Sequence, residues 1–149
     1  MSLVHVSIDI KAPPEAVFDT IMDPQRLGDW VTIHRSVSNV SHDSERQGAR
    51  MDQVLCMRGV NFKVHWTLID VNRPKEAEWE GRGPALSKAR IHYRLSGDPD
   101  GPTKFDYTNE FHAPGGLLGA MASRVLVGHA SEREARQSLN RLKDLVESR

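Results

Sequence analysis

Two spacings of apolar residues divide this chain, period two through most of its length and then threes and fours from about Gly116 to Val146. Residues 3–11 alternate strictly, with Val4, Val6, Ile8 and Ile10 on one face and His5, Ser7 and Asp9 on the other. That pattern predicts a half-buried strand. Pro13-Pro14 stops it, and Pro14 suits the first turn of a helix because its missing N–H would have no partner there. Val17, Phe18 and Ile21 form the apolar face of that short helix. Asp23-Pro24 closes it and caps a second short helix ending at Trp30.

From Ile33 to Ala113 the alternation predicts strands over about 34–43, 49–58, 60–71, 76–82, 87–96 and 103–112. Turn chemistry separates them: Glu45-Arg46-Gln47-Gly48, Gly59, Asn72-Arg73-Pro74, Gly83-Pro84 and the run from Gly97 to Pro102. Links this short make successive strands antiparallel neighbours. Phe62, Val64, Trp66 and Leu68 share one face, as do Ala89, Ile91, Tyr93 and Leu95, and Phe105, Tyr107, Asn109 and Phe111. Charged and polar residues fill the alternate positions, so one face of the sheet is apolar and aromatic and the other is wet.

The terminal helix reads in two halves. Ala135, Leu139, Leu142 and Val146, with Leu145 beside them, form a clean apolar ladder, whereas the stripe continues back through Met121, Val125, Gly128 and Glu132 and is looser. A helix of about 30 residues is roughly 45 Å long and is the one element large enough to cover the sheet. The predicted architecture is α+β: a seven-stranded curved antiparallel sheet wrapped around a long C-terminal helix, with two short helices after strand one, as a single domain over 1–149. The looser half of the helix predicts a cavity under it.

Twenty basic and twenty acidic residues cancel, which disfavours nucleic acid as a partner. The single cysteine, Cys56, cannot form an internal disulfide, and the first residues lack a secretory signal. No apolar run reaches the roughly 18 residues a membrane span needs. Cytoplasmic localisation, with no integral membrane segment, is the expectation.

The order strand, two short helices, six strands, long helix is that of the helix-grip fold. The stretch Ile8-Asp9-Ile10-Lys11-Ala12-Pro13-Pro14-Glu15-Ala16-Val17-Phe18, then Asp23-Pro24, Leu27 and Trp30, resembles the opening of the START-like (SRPBCC) superfamily. Within it the chain is most similar to the polyketide cyclase/dehydrase and lipid transport family. The resemblance implies a pocket for an apolar or aromatic small molecule between sheet and helix. It does not specify the molecule, since one fold hosts many functions.

The inward phase supplies the candidate ligand-binding residues: Trp30, Phe62, Trp66, Trp79, Tyr93, Tyr107, Asn109 and Phe111, with Met121, Val125 and His129 from the helix. Aromatic walls suit a flat or greasy ligand, though the same rings also serve to fill a core. Asn109 is the polar exception on an apolar face, and a buried amide without a partner costs roughly 1–3 kcal/mol. Gln53 shares the phase of Met51, Leu55 and Met57. His129 with Glu132 is a candidate acid/base pair if both face the pocket mouth. His5, His65, His92 and His112 fall on polar phases, and His34 and His42 near strand ends, which reads as solvated surface. No histidine pair has helical zinc spacing, so neither metal nor cofactor is predicted. Pro114-Gly115-Gly116-Leu117-Leu118-Gly119 lacks the lysine and hydroxyl of a phosphate loop and reads as a lid or the start of the helix.

Taken together, these residues and the resemblance point to a carrier or sensor of a hydrophobic small molecule. One alternative is a polyketide aromatase/cyclase-dehydratase. For that activity the resemblance implies a cavity arginine near Ile69-Asp70, where none stands, and Arg82 has the phase opposite to Trp79. A second alternative is a partner-binding module whose cavity is filled by side chains.

Overall fold

Alternation becomes a single seven-stranded antiparallel sheet. In a computed structural model, residues 2–112 and 117–148 have a described backbone and residues 3–112 and 132–148 described side chains. The elements are β1 (Ser2–Ile10), α1 (Pro14–Ile21), α2 (Leu27–Trp30), β2 (His34–Ser38), β3 (Arg50–Met57), β4 (Val60–Asn72), β5 (Glu76–Arg82), β6 (Lys88–Ser96), β7 (Thr103–His112) and α3 (Leu117–Glu147). Strand order is β1-β7-β6-β5-β4-β3-β2, so the first strand closes onto the last while the others follow as a meander. The curled sheet and the C-terminal helix form the helix-grip α+β fold.

Proline and capping chemistry act where the sequence places them. Pro14 opens α1. Asp23 accepts a hydrogen bond from the Gln25 backbone N–H at 3.0 Å and starts a single 3-10 turn, Pro24–Arg26, that leads into α2. Several of the largest fully buried side chains gather at one end of the sheet. Ile10, Val17, Phe18, Leu68 and Phe105 pack there with Leu139 and Leu142 of α3. Polar contacts pin the helix to that end: Lys11 N–H donates to Glu147 Oε2 at 2.8 Å, and Lys143 Nζ donates to the Asp9 carbonyl at 3.1 Å. Among the described residues no helix is long and apolar enough to cross a membrane.

Three local details depart from simple alternation. β2 stops at Ser38 instead of running to 43, because Asn39 adopts a left-handed φ of 51° and the following turn is held by Arg50 N–H donating to Ser41 Oγ at 2.6 Å. β2 also shifts register between His34 and Ser36. β4 has a bulge between Leu68 and Asp70. Strict period two would turn Asp70 inward. The extra residue instead leaves Asp70 exposed and sets Val71 opposite buried Ala77.

The outer face is paired charge. His65 Nδ1 lies 2.6 Å from Asp52, His92 Nε2 3.2 Å from Glu76 and His5 Nε2 3.5 Å from Asp106. Hydrogen bonds from Asn39 first, and then from His65, hold the Asp52 carboxyl below its usual range.

Candidate functional site

The inner face is filled at one end only. Towards the other end a hollow of about 400 Å³ lies between the sheet and α3. Sheet register explains which residues line it. Tyr93 pairs with Tyr107 and Ile91 with Asn109 across β6 and β7; Trp79 pairs with Ile91; Trp66 sits opposite Gly81. Each is an inward position on its strand, and adjacent inward positions stack side by side across an antiparallel sheet.

Eight of the predicted residues border this hollow: Trp30, Phe62, Trp66, Trp79, Tyr93, Tyr107, Asn109 and Phe111. Met121, Val125 and His129, and the segment 114–119 read as a lid, lie outside the residues whose side chains are described. Leu27, Val31, Ile33, Met51 and Leu55 add to the apolar wall, and α3 contributes Glu134, Ala135 and Ser138. Glu132, which the sequence pattern put on the inward stripe with His129, is exposed and paired with Arg136 at 3.1 Å. The carboxylate that α3 brings to the hollow is Glu134, and the Thr32 hydroxyl donates to it. Thr32 N–H also donates to Ser138 Oγ at 3.0 Å, which fastens α3 to the chain after α2.

The aromatic residues form a row. The Trp30 and Tyr93 ring centroids are 6.4 Å apart and those of Tyr93 and Tyr107 6.1 Å apart. Asn109 Nδ2 donates to the Tyr107 hydroxyl at 3.2 Å. Two buried polar atoms of this row have no hydrogen-bond partner among the described residues, Trp30 Nε1 and Asn109 Oδ1. Withdrawal from water pushes the Tyr107 hydroxyl up to about 12, and that of Tyr93 up as well. Both are therefore neutral hydroxyls at ordinary pH.

A second polar feature was not legible as a site. Trp66 Nε1 donates to Gln53 Oε1 at 3.0 Å, and Gln53 Nε2 lies 2.9 Å from His34 Nδ1. His34 is half-buried, not solvated, and burial lowers its pKa. The register shift in β2 re-aims it, which local alternation does not reveal. Arg82, by contrast, is exposed beside Glu80, and no arginine borders the hollow among the described residues. No group of three or more His, Cys, Asp and Glu side chains among the described residues is placed to hold a metal ion.

The rim is irregular backbone. The turn after β5 holds Ala85 and Leu86 at φ 55° and 67°, a left-handed pair without glycine, and Leu86 is 89% exposed. Such residues cost roughly 1–2 kcal/mol each.

A family model described as polyketide cyclase / dehydrase and lipid transport matches residues 1–147. Toxin Rv0910 of Mycobacterium tuberculosis is 24% identical over 141 residues, which cover 93% of this chain and 94% of that protein. Among solved structures, CV1439 from Chromobacterium violaceum superposes with a TM-score of 0.68 at 18% identity, covering 99% of both chains. Ara h 8.0201 superposes with a TM-score of 0.70 at 13% identity over 99% of this chain and 98% of its own. At such identities the structural likeness speaks for the fold.

Proposed function

The chain belongs to the polyketide cyclase/dehydrase and lipid transport family, and on that premise we propose that it is a carrier or sensor of a hydrophobic small molecule. The ligand class is a lipid, a polyketide or another aromatic or isoprenoid compound, held between the sheet and α3. The observation that carries this reading is the hollow of about 400 Å³ with walls of Trp, Tyr, Phe and aliphatic side chains. Its size lies within the usual range of small-molecule sites. Trp30, Phe62, Trp66, Trp79, Tyr93, Tyr107, Asn109 and Phe111 are the proposed contacts, and residues 1–149 act as one ligand-binding domain in the cytoplasm.

Burying about 300 Å² of apolar ligand surface is worth roughly 7–8 kcal/mol before association costs are subtracted. Micromolar or weaker affinity follows. A cyclase/dehydratase activity is the less supported reading. The tyrosine hydroxyls are held neutral, Glu134 is engaged by Thr32, and acid/base chemistry needs a group that titrates near the working pH. The hollow also disfavours a partner module with a filled interior.

Native mass spectrometry of freshly purified protein, followed by organic extraction, tests the proposal together with titration of N-phenyl-1-naphthylamine, a neutral apolar fluorophore. The expected result is saturable fluorophore binding that an extracted compound displaces. No co-purified compound together with no saturable binding would overturn it.

A further inference from the structure

We propose that the hollow selects a neutral ligand with two distinct handles, a hydrogen-bond acceptor that takes the Trp30 Nε1–H and a hydroxyl that donates to Asn109 Oδ1, and that it rejects carboxylates and phosphates. The inference rests on the proposed function and specifies the ligand within it.

Trp30 is 2% exposed, and an indole nitrogen can only donate. Asn109 already uses one end of its amide on Tyr107 at 3.2 Å, which leaves the carbonyl oxygen as the end without a partner among the described residues. Buried polar atoms without partners are rare and unfavourable. An isolated buried donor is easily replaced by phenylalanine, and an isolated buried acceptor by leucine. Here the two stand at opposite ends of one contact row, Trp30, Tyr93, Tyr107, Asn109, along the wall of the hollow. They are of opposite polarity, so a single symmetric handle does not serve both. A carbonyl or ether oxygen serves the first and a hydroxyl the second.

Charge decides against an anionic head group. Among the described lining side chains, the acidic and basic residues are Lys88 and Glu134. Lys88 is an exposed residue at the start of β6, and Glu134 repels an anion. A carboxylate beside the aromatic row would lose its hydration without gaining a cation from the described side chains of that row, which is far costlier than burying a hydroxyl that finds an acceptor. The raised hydroxyl values of Tyr93 and Tyr107 report the same hostility to negative charge.

Three matched probes separate the possibilities: 6-hydroxyflavone, flavone and flavone-6-carboxylic acid, each titrated by tryptophan quenching near about pH 6, where the phenol is neutral and the acid ionised. The hydroxyl should bring a threefold to tenfold tighter Kd than flavone, about one net hydrogen bond. The acid should bind at least about tenfold more weakly than flavone. Asn109→Leu should abolish the preference for the hydroxyl and leave the melting temperature equal or higher. Trp30→Phe should weaken flavone and 6-hydroxyflavone by similar factors; if that variant does not fold, Asn109→Leu decides alone. Flavone binding as tightly as its hydroxylated form, a hydroxyl preference that survives Asn109→Leu, or tightest binding by the acid would each overturn the inference while leaving the proposed function standing. Binding of N-phenyl-1-naphthylamine with no flavone bound overturns the inference alone. Absence of binding by every probe, together with no co-purified compound, removes both.

Discussion

Gln53 has one way to satisfy its neighbours. Trp66 Nε1–H can only donate, so at 3.0 Å it fixes the amide oxygen of Gln53 towards the indole. The amide nitrogen then donates to His34 Nδ1 at 2.9 Å, which requires His34 to be neutral with its proton on Nε2. Burial lowers the His34 pKa in the same sense. The unfolded chain, with an ordinary histidine near about 6.5, therefore takes up the proton first. The stability held by neutral His34 is complete above about pH 6.5 and is lost as pH falls through the lower folded value. His34→Asn offers an amide oxygen near the position of Nδ1 but does not titrate. Melting temperatures between about pH 7.5 and 5 should fall more steeply for the native chain than for His34→Asn; parallel profiles would remove His34 from the account. Gln53 was readable from strand phase, but His34 was not, because its orientation depends on the irregular pairing of β2 with β3.

At the scale of elements, the wall of the hollow depends on what one strand leaves out. Gly81 of β5 faces Trp66 of β4, and a Cβ there would stand 2.6 Å from the indole ring and 2.7 Å from Val64 Cγ1. Gly81→Ala should force the ring from its place, cost about 1–3 kcal/mol in urea denaturation and weaken N-phenyl-1-naphthylamine binding. Gly48→Ala is the matched control. Gly48 has φ of +92° in the turn before β3 and no neighbour within 4 Å of a Cβ, so that change strains backbone away from the wall. Equal losses of probe affinity in the two variants would exclude a specific role for Gly81. The strands themselves were visible in the alternation to within a residue or two, apart from the end of β2. The bulge in β4 was not, because it answers a conflict between Asp70 and the face it would otherwise enter.

Across the whole molecule, stability and binding concentrate at different ends. Leu142 of α3 is fully buried with Leu139, Phe105 and Phe18, whereas Phe62 is partly exposed at the border of the hollow. Leu142→Ala should cost about 2–5 kcal/mol of unfolding free energy with an unchanged denaturant slope. Phe62→Ala should cost under about 1.5 kcal/mol, because part of its surface is already exposed, while weakening the apolar probe more than Leu142→Ala does. The reverse order of effects on binding would contradict this separation. Spacing along the chain determined the strand phases, the proline-marked helix starts, the apolar ladder of α3 and the order of elements that defines the fold, because which face of a segment is apolar is a local property. Tertiary structure alone decided where packing stops and a hollow remains, that Glu134 and not Glu132 borders it, and that Trp30 and Asn109 keep atoms in one row without a partner among the described residues. Those outcomes depend on register shifts, rotamers and contacts between distant positions such as Thr32 and Ser138, 106 residues apart, and no periodicity in the sequence encodes them.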